Sequence, residues 1–204
     1  MAIVYEYRPG RLYLNVTNRC SNNCVFCVRQ GPGYSLGGVD MRLAAEPTAD
    51  EVTEAIRAAE QERRQGHVFD EVVFCGFGEP THRLGLIEEV GQWLRGRGVA
   101  VRLNTNGQGA LINRRGPEEV VAALEGAVDR VSISLNAPTA ADYDDLCEPT
   151  FGPEAFEAVL AFSRRSVERL PQVTLTVVGF TLEDEAIDRC EEIAHAIGAE
   201  FRVR

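Results

Sequence analysis

Apolar and polar residues along this chain fall into short strand-like runs separated by longer stretches whose apolar positions recur at helical spacing. Residues 3–7 and 11–17 are two β-rich runs around the turn-forming Arg8-Pro9-Gly10, which predicts a short N-terminal hairpin leading into the first core strand. Further strands are expected over residues 70–75, 99–103, 130–135, 173–178 and 200–204. Thr48 and Glu51 stand in capping-box register. The helix they open is expected to run to about Gly66, with Val52, Ala55, Ile56 and Ala59 on its buried stripe. Helices are also expected over about 83–97, 117–126, 140–146, 153–170 and 183–197.

Strands that alternate with helices imply a parallel sheet with right-handed crossovers. Six such units in 204 residues fall short of the eight, in about 250 residues, that close a full barrel. The expected fold is therefore α/β, a partial and laterally open (β/α)6 barrel with a short N-terminal β-hairpin, residues 1–204 forming a single domain. Active sites in such folds gather at the carboxyl ends of the strands. Here the first strand runs into a cysteine-rich loop and the second ends at Gly76-Phe77-Gly78-Glu79-Pro80. The third ends at Asn104-Thr105-Asn106-Gly107, the fourth at Ser134 and Asn136, and the fifth at Gly179. Glycine and small polar residues at five consecutive strand ends mark one rim as the site.

Composition narrows the partners. A formal net charge of −10 argues against a broad nucleic-acid footprint, because phosphate binding wants clustered cations. All 21 basic residues are arginine, which excludes lysine Schiff-base or general-base chemistry. No stretch approaches the roughly twenty apolar residues of a membrane span. The first residues, Met1-Ala2-Ile3-Val4-Tyr5-Glu6-Tyr7, lack a basic-then-apolar leader. The expected address is cytoplasmic, where six cysteines read as ligands or free thiols rather than disulfides.

Three of those cysteines lie close together in Cys20-Ser21-Asn22-Asn23-Cys24-Val25-Phe26-Cys27. Thiolates are soft ligands that select zinc, cuprous copper or iron–sulfur clusters. A structural zinc site would want a fourth ligand, and no fourth cysteine is near. Three thiols suit a cubane whose fourth iron stays open. Cys75 and Cys190 read as core thiols. Cys147, at a helix end expected near the rim, is a candidate hydrogen donor or ligand. His82 lies close to the expected site in sequence but reads first as a surface residue, Arg29 reads equally as a partner for an anionic group or as surface charge, and His67 and His195 are scattered. The glycine-rich stretch 31–38 reads either as a connector or as a substrate lid.

The cysteine run resembles the C-x3-C-x2-C signature of the radical S-adenosylmethionine (SAM) superfamily, with the aromatic Phe26 before the last cysteine. Gly76-Phe77-Gly78-Glu79-Pro80 resembles that family's Gly-Gly-Glu element, interrupted here by Phe77. The resemblance implies a [4Fe-4S] cluster on Cys20, Cys24 and Cys27, with SAM chelating the open iron. Reductive cleavage of SAM would then give a 5′-deoxyadenosyl radical that abstracts hydrogen from a substrate. It further implies Phe26 near adenine, and Gly76, Phe77, Gly78 and Glu79 at the methionine ammonium. Ser134, Asn136, Asn104 and Asn106 would be placed at the ribose and carboxylate, and Val178 and Gly179 along the adenine. A reductant such as flavodoxin or ferredoxin is implied as partner.

A narrower resemblance is to the TatD-associated radical SAM proteins. It is carried by Leu14-Asn15-Val16-Thr17-Asn18-Arg19-Cys20, Glu46-Pro47-Thr48, Cys75-Gly76-Phe77-Gly78-Glu79-Pro80-Thr81, Leu103-Asn104-Thr105-Asn106-Gly107 and Ser132-Ile133-Ser134-Leu135-Asn136-Ala137-Pro138. It implies a functional link to a TatD-type metal-dependent hydrolase and names no substrate. The 7-carboxy-7-deazaguanine synthases are similarly compact, but carry Asp-Thr after the last cysteine where this chain has Val28-Arg29. A glycyl-radical activase remains a third radical reading, and a structural cluster-binding or zinc-binding interaction module is the non-enzymatic one.

Overall fold

The computed structural model describes residues 4–30, 35–36, 39–63 and 68–204. Seven strands form one sheet: β1 (Val4–Arg8), β2 (Arg11–Leu14), β5 (Glu71–Phe74), β6 (Ala100–Thr105), β7 (Arg130–Ser134), β8 (Gln172–Val177) and β9 (Glu200–Val203). They lie in that order, so β1 and β9 are its two free edges and the barrel stays open. β1 pairs antiparallel with β2 through the expected hairpin, and every later pairing is parallel. Of the glycine-rich stretch 31–38, only Ser35 and Leu36 lie within the described residues. They form β3 (Ser35–Leu36), paired antiparallel with β4 (Val39–Asp40).

Strand side chains alternate between the two faces of a sheet. One set, with Leu12, Leu14, Val72, Phe74, Val101, Leu103, Val131, Ile133, Val173, Leu175 and Val177, is buried in a single apolar cluster beneath the helices. The helices of that layer are α1 (Ala49–Glu62), α2 (Leu84–Gly96), α4 (Pro117–Leu124), α6 (Glu154–Arg169) and α7 (Asp184–Ile197), with α3 (Gly109–Asn113) and α5 (Ala140–Cys147) at the carboxyl-end rim. The alternate set faces the concave side: Arg11, Glu71, Arg102, Asn104, Arg130, Ser132, Gln172, Thr174 and Arg202 line its two cavities. A closed barrel would fill this side with apolar layers. Here it is polar.

Local chemistry sets the helix ends. The Thr48 hydroxyl accepts from the Glu51 N–H at 3.2 Å while the Glu51 carboxylate accepts from the Thr48 N–H at 2.7 Å, completing the capping box of α1. That helix stops at Glu62, earlier than the expected Gly66, because Arg63 turns extended. Residues 64–67 lie outside the described region. Val52 and Ile56 are fully buried and Ala55 and Ala59 half so, but Glu60 is also buried, holding Arg97 at 2.8 Å. Helix α3 is an addition to the elements expected from the apolar pattern. Residues 15–17, expected to prolong β2, leave the ladder because their side chains bond to the segment around residues 41–46.

Two of the three glycines of α2 stand in contrasting settings. A Cβ at Gly91 would meet the Ala127 carbonyl, whereas Gly85 has open space around it. Gly91→Ala is expected to destabilise the fold by about 1–3 kcal/mol through overpacking. Gly85→Ala is expected to be neutral or to stabilise it by up to about 1 kcal/mol. Urea unfolding of the two variants beside the parent checks this, and equal effects would contradict the close approach of α2 to Ala127.

Candidate active site

The loop bearing Cys20, Cys24 and Cys27 follows β2 across a stretch whose polar side chains tie it down. Asn15 donates to the Met41 carbonyl. Asn18 grips Leu43 twice, donating to its carbonyl at 2.7 Å and accepting from its N–H at 3.1 Å. The Thr17 hydroxyl and the Arg19 guanidinium both donate to Glu46. These side-chain bonds replace a strand ladder, which is why β2 ends at Leu14.

The loop itself is clamped from two directions. From one side come α5 and the turn after it: the Asn23 and Val25 N–H groups donate to the Cys147 and Leu146 carbonyls, each at 3.0 Å. The Thr150 N–H donates to the Ser21 carbonyl at 2.7 Å, and Asn22 forms a bridge with Pro149. From the other side, the Glu79 N–H donates to the Arg19 carbonyl at 2.7 Å. Beneath the loop lies a buried polar trio. The Gln108 amide donates to Asn22 Oδ1 at 2.7 Å and to the Tyr143 hydroxyl at 2.9 Å, and Asn22 Nδ2 donates to the same hydroxyl at 3.1 Å.

Glu79 joins three strand ends. Its Oε1 accepts from the Thr81 N–H at 3.0 Å, the Thr81 hydroxyl at 2.7 Å and the Thr105 hydroxyl at 2.7 Å; its Oε2 accepts from the Asn106 N–H at 2.7 Å. Burial holds the carboxyl's pKa above the ordinary carboxylate range against the pull of those donors. Gly76 and Gly78 let this turn lie flush on the preceding segment. A Cβ at Gly76 would strike the Asn15 side chain, and one at Gly78 would strike the Thr17 and Arg19 carbonyls.

None of the six cysteines is in a disulfide. Burial above all, with the nearby Glu79 charge, pushes Cys20 up to about 12. The Cys24 thiol shares a hydrogen bond with Cys147, which together with burial pushes Cys24 up. Cys147 is fully buried and accepts from Asn136 Nδ2 at 3.4 Å. Cys147, expected at a helix end near the rim, is the last residue of α5, which tucks under the cysteine loop and leaves the thiol buried between Cys24 and Asn136. Among the described residues, no three His, Cys, Asp or Glu side chains surround one point as a single-ion site would.

The remaining expected residues divide into two groups. Asn104 and Val178 line a cavity of about 750 Å³ on the concave face, within the usual range for ligand pockets. Asn104 Oδ1 there is buried and has no partner. Ser134 stands at the same rim and accepts from Arg204 at 3.1 Å. Asn106 and Asn136 instead lie beneath the loop. Asn106 Nδ2 donates to the Ser21 hydroxyl at 2.8 Å and its Oδ1 accepts from the Gln108 N–H at 3.0 Å, while Asn136, at φ 59°, faces Cys147. Phe26 is half-buried against the core and Phe77 is buried. Cys190 is a buried core thiol, whereas burial pushes the Cys75 thiol up against the opposing pull of Asn104 and the Arg102 and Arg204 charges. His82 is half-buried with Nε2 unpartnered, and burial pulls its pKa down. His195 is exposed, and His67 lies outside the described residues. The sequence does not single out Asn22, Gln108 and Tyr143. Only the unusual Asn22-Asn23 pair between ligand-spaced cysteines hints at them.

Glu79→Ala would leave four buried N–H and O–H donors, on Thr81, Thr105 and Asn106 at the ends of β5 and β6, unpaired. It is expected to lower stability by about 3 kcal/mol. Glu79→Gln, which keeps one acceptor oxygen, should fall between. Chemical denaturation monitored by circular dichroism checks the order, and an unchanged midpoint for the alanine variant would contradict the joining role of this carboxylate.

Among solved structures, the chain is similar to TYW1 with a lysine-pyruvate adduct bound, at a TM-score of 0.64 and 15% identity over 95% of this chain and 64% of that one. It is similar to a radical SAM methyltransferase from Sphaerobacter thermophilus at 0.63 and 19%, covering 98% of this chain and 68% of that one. A third is SuiB from Streptococcus suis bound to S-adenosylmethionine, at 0.61 and 19%, covering 94% of this chain and 37% of that one. The chain thus spans 64% of the first of these structures and 37% of the third. At such identities the likeness shows a shared fold. No curated protein matches the sequence. The family model described as Radical SAM superfamily matches residues 14–194, from the end of β2 through the cysteine loop into α7, and this chain belongs to that superfamily.

Proposed function

We propose that this radical SAM enzyme cleaves S-adenosylmethionine reductively and uses the resulting 5′-deoxyadenosyl radical to abstract hydrogen from a substrate held on the concave face of the sheet. The observation that carries the proposal is the placement of the three thiols. They sit on one doubly clamped loop at the carboxyl ends of the strands, beside a cavity of about 750 Å³ whose lining includes Val28, the residue after Cys27.

The residues present fit the family's cofactors. The loop offers three thiols, none in a disulfide and with no carboxylate or imidazole among them, a donor set suited to a thiophilic iron–sulfur cluster. When bound, the cluster supplies an electron to the sulfonium of SAM. Cys20, Cys24 and Cys27 would hold it, and Cys24 must give up its bond to Cys147 to do so. Asn104 Oδ1, buried and unpartnered, supplies an acceptor at the cavity wall. Gly76 and Gly78, held flush by Glu79, present backbone rather than side chain at the adjoining strand end. Val178 adds an apolar wall. The interlocked bonds of Glu79, Asn22 and Gln108 hold these groups in place before any ligand arrives, a preorganisation that lets binding energy go into positioning.

Within the superfamily, the strand-end motifs favour the TatD-associated group, with a TatD-type hydrolase as functional neighbour and a small electron carrier such as flavodoxin or ferredoxin as reductant. Among the described residues no helix is long and apolar enough to cross a membrane.

Anaerobic reconstitution tests the reading. The parent chain is expected to bind about four irons and, with dithionite and SAM, to release 5′-deoxyadenosine detected by mass spectrometry. Replacement of Cys20, Cys24 or Cys27 by alanine should abolish both. Cys147→Ala should keep its iron content, since the thiol lies behind the loop. A fully loaded cluster that never yields 5′-deoxyadenosine would leave the binding-module reading standing instead.

A further inference from the structure

We infer that the concave face of the sheet holds an anion-binding site built on Arg202 and Arg204, which takes a carboxylate or phosphate group of the enzyme's substrate; its assignment to the substrate rests on the proposed radical function. The chain carries a formal net charge of −10, yet this face is cationic. Arg11, Arg102, Arg130, Arg202 and Arg204 stand on it against only two carboxylates, Glu71 and Glu200.

Neither carboxylate is free to neutralise the pair. Glu71 is already shared by Arg11 at 3.4 Å, Arg102 at 3.2 Å and Arg130 at 2.9 Å. Glu200 accepts from the Gln172 amide at 3.0 and 2.9 Å and from the Thr174 hydroxyl at 3.0 Å. What Arg202 and Arg204 do hold is neutral. Arg202 donates to the Ser132 hydroxyl at 3.2 Å and Arg204 to the Ser134 hydroxyl at 3.1 Å. No ion pair engages either guanidinium among the described residues.

A guanidinium presents five N–H donors, so each has most of its capacity unspent. The two Cα atoms are two residues apart, Arg202 in β9 and Arg204 just past its end, about 7 Å, which puts like charges on one face with no acidic side chain between them. Close by, Arg102 Nε is buried and unpartnered. Arg204 is also anchored: its N–H donates to the Val177 carbonyl at 2.9 Å and its carbonyl accepts from the Gly179 N–H at 3.1 Å. This seats the pair in the same cavity as Asn104 and Val178.

Paired forks of this kind recognise planar carboxylates and phosphates by bidentate bonds. The cavity wall beyond them adds Phe180, 84% exposed, and Val203. Such a site suits a small molecule with one anionic end and an apolar or carbon-rich portion reaching toward the cysteine loop.

Isothermal titration of the anaerobically reconstituted holoprotein at low ionic strength tests this, using inorganic phosphate and, separately, malonate, each with and without saturating SAM. Single-site binding is expected for at least one anion, weakened at least ten-fold in the Arg202→Gln/Arg204→Gln double variant while SAM still binds. Tighter phosphate would assign a phosphorylated substrate, and tighter malonate a carboxylate. Arg204→Lys, which keeps the charge but loses the fork, should give intermediate affinity and covers the case in which the double variant does not fold. Absence of binding by both anions, or equal affinity in parent and variants, would overturn the inference. So would displacement of the anions by SAM with parallel loss of SAM affinity in the variants, because the arginines would then serve the SAM carboxylate. Failure of the parent protein to bind SAM at all, with phosphate or malonate still held by the two arginines, would count against the proposed function while supporting the anion site.

Discussion

Period-two alternation along six parallel strands is the constraint from which the rest of this molecule follows. Each strand sends its apolar residues to the helices and its alternate residues to the concave face. Because most of those alternate residues are arginine, serine, threonine, asparagine, glutamine and glutamate, with only Tyr13 and Val73 apolar among those of β2 and β5, the sheet cannot close on a dry interior without stranding buried polar groups. An open, wet, cationic trough is the physically cheaper solution. The same pattern that drives folding on one side thus leaves a binding surface on the other.

A second level of organisation acts at the carboxyl-end rim. Loops are ordinarily the least constrained part of an α/β fold, yet here a buried carboxylate, Glu79, and a buried amide, Gln108, knit four of them together. Both work by accepting or donating several bonds at once, so loss of either side chain would release more than one loop. The cysteine loop inherits its rigidity from these contacts and from the turn after α5, not from its own sequence. A rigid loop on a packed scaffold keeps its thiols in a fixed relation to the cavity.

Cys147 shows how tertiary contact changes the meaning of a residue. In sequence it stands 120 positions after Cys27 and invites a chemical role. In space it lies behind the ligand loop, its carbonyl fixing Asn23 and its thiol bonded to Cys24. It thereby belongs to the setting of the candidate ligands rather than to the substrate side.

Much was legible from the chain alone. Alternation and helical periodicity gave the six parallel strands and their helices, since those patterns are local. Cysteine spacing and the Gly76-Phe77-Gly78-Glu79 turn marked the rim, since close-set thiols and a turn between strand and helix are local too. What the sequence could not determine is which polar residues face the cavity and which face protein. Asn104 and Asn106 are two positions apart and chemically identical, yet one lines the cavity with its oxygen unpartnered and the other is spent on Ser21 and Gln108. The pairing of Glu79 with Asn106, the trio of Asn22, Gln108 and Tyr143, and the unneutralised arginines of β9 and its following residue are likewise long-range facts. They depend on how strands far apart in sequence are brought side by side, and only the tertiary structure decides that.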